Sequence, residues 1–447
     1  MRVFKFSSIH KKIIILAWPA VVGNILRTIV GIVDMMMVGR LGAVSAAAVG
    51  LGGQFLWFAM ALMAAVGVGT TALIARFIGA SKRKEAEKIL IQSIELTIFL
   101  SIFLTFFGIA FSEDFLRILG ASENVVLEGS IYIKIVFLST IFNFIGFNSA
   151  AALRGAGDTK TPMFVDVVVN ISNIILNYVL IFGKFGFPAL GVKGAAIATA
   201  ISFVLGGILI LLVLFSGRFV LRLNLKDSFH PEIKTIRRIL KIGIPASIQQ
   251  IVMSGSMIVY VWIIVGFGTV SLAAHQIGLR IESLSYMPGF GFAVAATALV
   301  GQNLGAKKPG EAEMSGWEST KLCGIFMGFM GFLMILFPTL LAGMFIDDQE
   351  VIGLTAWYLR IVAISEPPLA VIFVLAGTLR GAGDTRFPLY ISVFGLWVFR
   401  IPLAYFLGIT CGYGAIGAWS AMTIDTFVRG FLYILRFKSG KWKEVEI

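Results

Sequence analysis

Twelve long apolar runs, divided by short polar turns, govern what this chain can fold into. They lie near 13–38, 46–77, 89–111, 125–152, 161–182 and 191–215, then near 239–265, 271–302, 317–341, 351–379, 387–410 and 414–437. Each matches the roughly 20 residues an apolar helix needs to cross a hydrocarbon layer. Membrane-spanning strands would be short and would alternate, so the expected fold is all-α. With 58% of its 447 residues hydrophobic and 14% charged, the chain departs from soluble domains at about 45–50% and about 25%. A polytopic membrane protein is expected. The first run is too long for a cleavable signal and lacks a small-residue cleavage site.

Charge orients the spans. Lys11, Lys12, Lys82, Arg83, Lys84, Lys88, Arg154, Lys160, the cations from Arg218 to Lys241, Lys307, Lys308, Lys321, Arg380, Arg386 and the tail cations from Arg436 to Lys443 fall on one side, with Arg2 and Lys5. Arg40, Arg117, Lys134, Lys184, Lys193 and the acidic Asp347, Asp348 and Glu350 fall on the other. Cytoplasmic loops collect Lys and Arg, so both termini are expected in the cytoplasm, in a multi-pass protein of the cell membrane. The net charge of +13 then reports topology and an affinity for anionic lipid, and no nucleic-acid partner is expected. Cys323 and Cys411 make no disulfide framework. His10, His230 and His275 are too scattered for a zinc site. No phosphate-binding loop of the ATPase type occurs. An enzyme is not expected, nor a cofactor.

The chain is also a repeat. Leu153-Arg154-Gly155-Ala156-Gly157-Asp158-Thr159 returns as Leu379-Arg380-Gly381-Ala382-Gly383-Asp384-Thr385, a shift of 226. The same shift carries Pro19-Ala20 onto Pro245-Ala246, Gly79-Ala80 onto Gly305-Ala306, Glu85-Ala86-Glu87 onto Glu311-Ala312-Glu313 and Pro162 onto Pro388. Six spans per unit is an even number, so both halves enter the membrane in the same direction. A pseudo-two-fold axis along the membrane normal is expected, as in transporters built of parallel repeats. The expected organisation is an N-lobe at 1–215, a basic linker at 216–238 and a C-lobe at 239–447 with a short tail.

Ionisable residues inside an apolar run are expensive and point to function. Asp34 stands deep in the first run, in a helix that Pro19 can bend. Arg27 precedes it by seven residues, on nearly the same face, so a purely architectural Asp34–Arg27 pair is the plain alternative. The repeat places Tyr260 opposite Asp34, and this broken symmetry favours chemistry. Asn173 and Asn177 share a face at i, i+4, and Thr199 follows in the sixth run. A carboxylate, two carboxamides and a hydroxyl suit Na⁺ or a proton; asparagines alone are more often packing glue. Glu282 lies near Arg280, His275 and Gln276, able to face a cavity or to pair. Glu366 precedes Pro367-Pro368, and Asp425 and Arg429 form an i, i+4 pair of structural character. Asp166 and Glu95 lie near span ends and are expected to be solvated. The twin Arg-Gly-Ala-Gly-Asp-Thr turns are expected to cap helices.

Trp18-Pro19-Ala20 through Val33-Asp34, Val38-Gly39-Arg40-Leu41-Gly42, the twin turns and Val300-Gly301-Gln302-Asn303-Leu304-Gly305-Ala306 together resemble the MATE family of multidrug and toxic-compound extrusion proteins. The resemblance spans the whole chain. It implies an H⁺- or Na⁺-coupled antiporter that alternates between outward-open and inward-open forms and expels small organic, cationic or aromatic compounds. Asp34 then matches the coupling carboxylate, Asn173, Asn177 and Thr199 the polar cluster around it, and Pro19 the bend. If Na⁺ is the ion, it would sit at Asp34, Asn173 and Asn177. Some relatives carry Asp where Asn177 stands, and NorM-type relatives carry acids where Met253 and Leu369 stand, so the chain is closer to the DinF-like branch. The substrate cavity is expected from Arg27, Met35, Met36, Phe55, Phe142, Tyr260, Gln276 and Glu282, since thioethers and aromatic faces adapt to varied planar cations. A monomer is expected. A lipid or lipid-linked oligosaccharide flippase of the same superfamily is the alternative; it would need a larger, more cationic cavity.

Overall fold

The computed structural model describes residues 8–224 and 230–447. Arg2, Lys5 and the part of the expected linker at 225–229 lie outside the described residues. All regular structure among the described residues is helical. The first half comprises α1 (Ser8–Gly39), α2 (Ala43–Gly79), α3 (Arg83–Ala110), the short α4 (Ser112–Ile118), α5 (Glu123–Leu138), α6 (Thr140–Gly155), α7 (Lys160–Phe182) and α8 (Gly191–Ser216). The second comprises α9 (Ile233–Val265), α10 (Thr269–Gly305), α11 (Pro309–Leu336), α12 (Pro338–Gly343), α13 (Gln349–Ala363), α14 (Glu366–Ala382), α15 (Arg386–Ser392), α16 (Ile401–Tyr405) and α17 (Gly414–Lys438).

The shift of 226 seen in the sequence is a shift in the fold. Both α2 and α10 have 37 residues, and both α3 and α11 have 28, with each pair starting and ending 226 apart. Nine helices among the described residues are long and apolar enough to span a membrane. Two helix pairs, α5 with α6 and α13 with α14, bring this to eleven if each counts as one span bent by 55°. The breaks fall at equivalent serines: Ser139 Oγ donates to the Val136 carbonyl and Ser365 Oγ to the Val362 carbonyl, each at 2.7 Å. Such bonds draw a carbonyl away from its helical partner. Pro367 and Pro368 then supply no N–H to the first turn of α14. The twelfth expected span is α17, 25 residues long but less apolar, since it carries Asp425 and Arg429 near its middle.

The chain divides into two compact units, residues 22–247 and residues 1–21 with 248–447. These limits cut α1 and α9 at equivalent points, two residues beyond Pro19 and Pro245. α1 itself runs unbroken through Pro19. Within one unit, Gly243 of α9 lies so close to the Ala65 carbonyl of α2 that a Cβ would collide with it. Within the other, a Cβ on Gly291 of α10 would come 2.9 Å from the Ala17 carbonyl of α1. The two contacts are images of each other in the repeat, because 17 and 243, and 65 and 291, are each 226 apart. Only glycine permits the approach.

Of the twin turns, the first caps a helix and the second pairs with α17. Asp158 accepts from the backbone and hydroxyl of Thr161, at 3.0 and 2.6 Å, at the start of α7. Asp384 is held by Arg436 at 2.8 Å. Apolar clusters fill the spaces between helices. One gathers Val38, Tyr132, Val136, Ile181, Val192, Ala195 and Ala196, and so packs the end of α1 against α5, α7 and α8 one turn beyond Asp34.

Candidate functional site

A polar stripe runs down α7. Asp166, Asn170, Asn173 and Asn177 are spaced by four, three and four residues, which keeps all of them on one helical face. Its end meets Asp34 of α1. Asn177 Nδ2 donates to Asp34 Oδ1 at 2.6 Å and to Asn173 Oδ1 at 3.1 Å. Both asparagines are buried and Asp34 is half-buried. The Asn173 oxygen lies 3.1 and 3.2 Å from the two oxygens of Asp34. An ionised Asp34 repels it, and turning the carboxamide over lets the nitrogen donate to both carboxylate oxygens. A protonated Asp34 instead donates to that oxygen as it stands. In either orientation Asn173 is a neutral carboxamide against the Asp34 carboxyl. Asn177 Oδ1 is buried without a hydrogen-bond partner in the protein. Thr199 stands one step away, beside the Tyr132 hydroxyl of α5.

Asp34 forms no ion pair among the described residues. Arg27, the partner considered from the sequence, turns to Asp166: its Nη2 donates to Asp166 Oδ2 at 2.8 Å. The alternative of an Asp34–Arg27 pair is therefore not what the structure has, and Asp166, expected to be solvated, is engaged. α1 and α7 run in the same direction, so the polar stripe meets α1 twice, at Arg27 and at Asp34. Between α1, α2, α6, α7 and α8 lies a cavity of about 260 Å³, near the small end of ligand sites. Arg27, Asp166, Asn170 and Asn143 give it polar groups; Leu56, Met60, Phe147 and Phe203 give it apolar walls. Of the residues expected in the cavity, Arg27 lines it. Phe55 is in the helical core, stacked on Phe115 with ring centroids 4.2 Å apart. Phe142 backs the cavity wall through close contact with Gly207. Met35, Met36 and Gln276 are exposed.

A second polar cluster occupies the second half. Glu282 on α10 is buried and accepts from the Tyr358 hydroxyl of α13 at 2.5 Å. Glu366, at the start of α14, accepts from Ser285 of α10 at 2.6 Å, and its other oxygen is unpartnered within the protein. Tyr260 and His275 pack beside them, with ring centroids 5.7 Å apart. Asp425 is fully buried between Arg400 and Arg429, each with a guanidinium nitrogen 2.8 Å away. The i, i+4 pair of the sequence is therefore a triad. Arg400 comes from a stretch of π-helical turns, Val393–Arg400 and Phe406–Thr410, that flank α16. Sequence reasoning named no partner for Asp166 or Arg400 and missed Tyr358 as that of Glu282, although the period of the α7 stripe was there to be read.

Known proteins share the duplicated plan of this chain. The MatE family model matches residues 19–179 and again residues 245–406, two copies that start one repeat apart. A probable multidrug resistance protein NorM of Thermotoga maritima is 34% identical over 98% of this chain and 94% of its own. An uncharacterized transporter, YisQ of Bacillus subtilis, is 29% identical over 98% of each. Among solved structures, a crystal structure of MATE in the bent conformation superposes with a TM-score of 0.90 at 25% identity, covering 97% of each chain.

Proposed function

Since the chain belongs to the MATE family of multidrug transporters, we propose that it is a cation-coupled antiporter in which Asp34 binds the coupling H⁺ or Na⁺. As a transporter with many membrane-spanning helices it moves small molecules and is no enzyme. The observation that carries the assignment of Asp34 is its set of partners. A carboxylate inside an apolar span is held only by neutral carboxamides, so its charge is balanced when a cation arrives. The unpartnered Asn177 oxygen, the Asn173 oxygen and the carboxylate form a set of hard oxygen donors. They suit a proton shared between Asp34 and Asn173, or a Na⁺ among the three.

Neutralising Asp34 changes how α1 packs against α7 beyond Pro19, and the adjoining cavity contracts as its contents leave outward. Substrate and cation then favour different states, and each lowers the affinity for the other. Both termini lie in the cytoplasm, two lobes at 1–215 and 239–447 alternate access, and the cell membrane is the site of action.

The test is dye efflux by purified protein in liposomes, comparing wild type with Asp34→Asn under an imposed H⁺ gradient and then a Na⁺ gradient. Wild type should move dye under one of them, which names the ion, and Asp34→Asn should not. Equal transport by both proteins overturns the role of Asp34.

A further inference from the structure

Resting on the transport reading, we propose that the Arg27–Asp166 pair makes the first-half cavity selective for aromatic zwitterions, molecules carrying a carboxylate beside their amine, over plain cations. The pair is accessible: its side chains are 44% and 25% exposed, and both line the cavity whose walls are Leu56, Met60, Phe147 and Phe203. A ligand that enters between them must exchange one set of charge contacts for another. A plain cation that takes Asp166 leaves Arg27 without a counter-charge in apolar surroundings, which is unfavourable. A carboxylate that takes Arg27 accepts from two guanidinium nitrogens at once, and an amine on the same molecule replaces Arg27 at Asp166.

A third charge tips the balance further. Arg154 on α6 lies close enough to interact electrostatically with both Arg27 and Asp166. The local sum of these three groups is one positive charge, so a second cation is disfavoured and an added carboxylate is not. Asn170, on the same α7 face, turns a buried Nδ2 with no partner in the protein into the lining. It is a further donor for a carboxylate and repels an ammonium. The aromatic body of the ligand meets Phe147 and Phe203.

One aromatic amino-carboxylate in three charge forms tests this: the zwitterion, its methyl ester as the cation, and its N-acetyl derivative as the anion. Binding to purified full-length protein is measured without a gradient. Wild type should bind the zwitterion about tenfold more tightly than the ester, the size of one charge-assisted hydrogen bond. Arg27→Gln should reverse that order. Arg27→Lys should restore it in part, and Asp166→Asn should leave the zwitterion and the anion equal. Equal affinities for zwitterion and ester in wild type overturn the proposal, as does an Arg27→Gln variant that loses affinity for both alike. Transport of the same compounds is measured in liposomes in parallel. Charge-selective binding without driven transport would overturn the antiport reading and leave the selectivity intact.

Discussion

The polar stripe of the first half runs down α7 as Asp166, Asn170, Asn173 and Asn177, whereas 226 residues later the chain has Ser392, Leu396, Phe399 and Leu403. In the second half the stripe is on α10 instead, as His275, Glu282 and Ser285, where the first half has Val49, Leu56 and Ala59. Some of the frame is shared. Tyr132 and Tyr358 are equivalent, and Asp34 answers to Tyr260. Most of the duplicated helices thus keep their lengths and breaks while the charges have moved between them. The partners differ in kind as well. Asp34 is held by neutral carboxamides in a half-buried site, and Asp425 by two guanidiniums in a fully buried one. A carboxylate with neutral partners can trade one cation for another; a carboxylate between two arginines holds a shape.

The largest expected effect separates these two roles. Asp425→Asn leaves Arg400 and Arg429 buried without a counter-charge, and breaking a buried pair in this way costs about 3–5 kcal/mol. Thermal unfolding in detergent should show a large fall in melting temperature. Asp34→Asn should unfold at or above the wild-type temperature, since a neutral carboxamide replaces a partly buried charge, yet lose driven transport. An Asp425→Asn protein as stable as wild type would break the contrast.

Next in size is the tyrosine pair. Tyr358→Phe removes the hydroxyl that satisfies Glu282 and leaves a buried acceptor unpaired, at about 1–3 kcal/mol. Tyr132→Phe removes a hydroxyl whose neighbour is the uncharged Thr199, and should cost about 1 kcal/mol or less. Equal losses of stability would mean that the two halves treat this position alike.

A third comparison reads transport. Asn177→Ala withdraws the donor 2.6 Å from Asp34 that favours its ionised form, so the concentration of a driving proton at half-maximal rate should fall about tenfold, whereas that of a driving Na⁺, which loses the Asn177 oxygen, should rise. Glu282→Gln keeps an acceptor for Tyr358 and should shift either by less than about twofold. A larger shift from Glu282→Gln would place the coupling site in the second half.

How much of this was open to sequence reasoning depends on where the signal resides. Apolar runs and the repeat are local patterns, and the helices α2, α3, α10 and α11 begin and end where the shift of 226 requires. Asp34 stood out because a charge in a span is costly wherever its partner lies. Partners themselves are properties of packing. Helical period put Arg27 on the face of Asp34, but the register of α1 against α7 gave it to Asp166. No local pattern marks the π-helical turns that deliver Arg400 to Asp425. The bends at Ser139 and Ser365 rest on single hydroxyls competing for carbonyls, a signal too weak to read beside the proline pair that accompanies only one of them.

The smallest contrast lies in the loops and is a matter of pH. In the first half Lys134 of α5 donates to Glu113 of α4 at 2.8 Å, and that bond and charge hold Glu113 below the ordinary carboxylate value. The equivalent residues of the second half are Thr339 and Arg360, and Arg360 stacks over Trp357 at 5.7 Å, a contact with no carboxylate to titrate. A carboxylate whose folded value is depressed contributes stability above its unfolded value and loses it as pH falls through the folded one. Acid should therefore loosen α4 from α5 and leave α12 on α13 unchanged. Hydrogen exchange, corrected for its intrinsic pH dependence, reads both short helices at about pH 6 and about pH 3, on either side of the carboxylate range. Glu113→Gln should raise exchange in α4 slightly at the higher pH and match wild type at the lower, because the exposed pair is weak to begin with. Equal acid sensitivity in α12 would show that the loosening belongs to the helix plan the halves share, and not to the ion pair that only one of them carries.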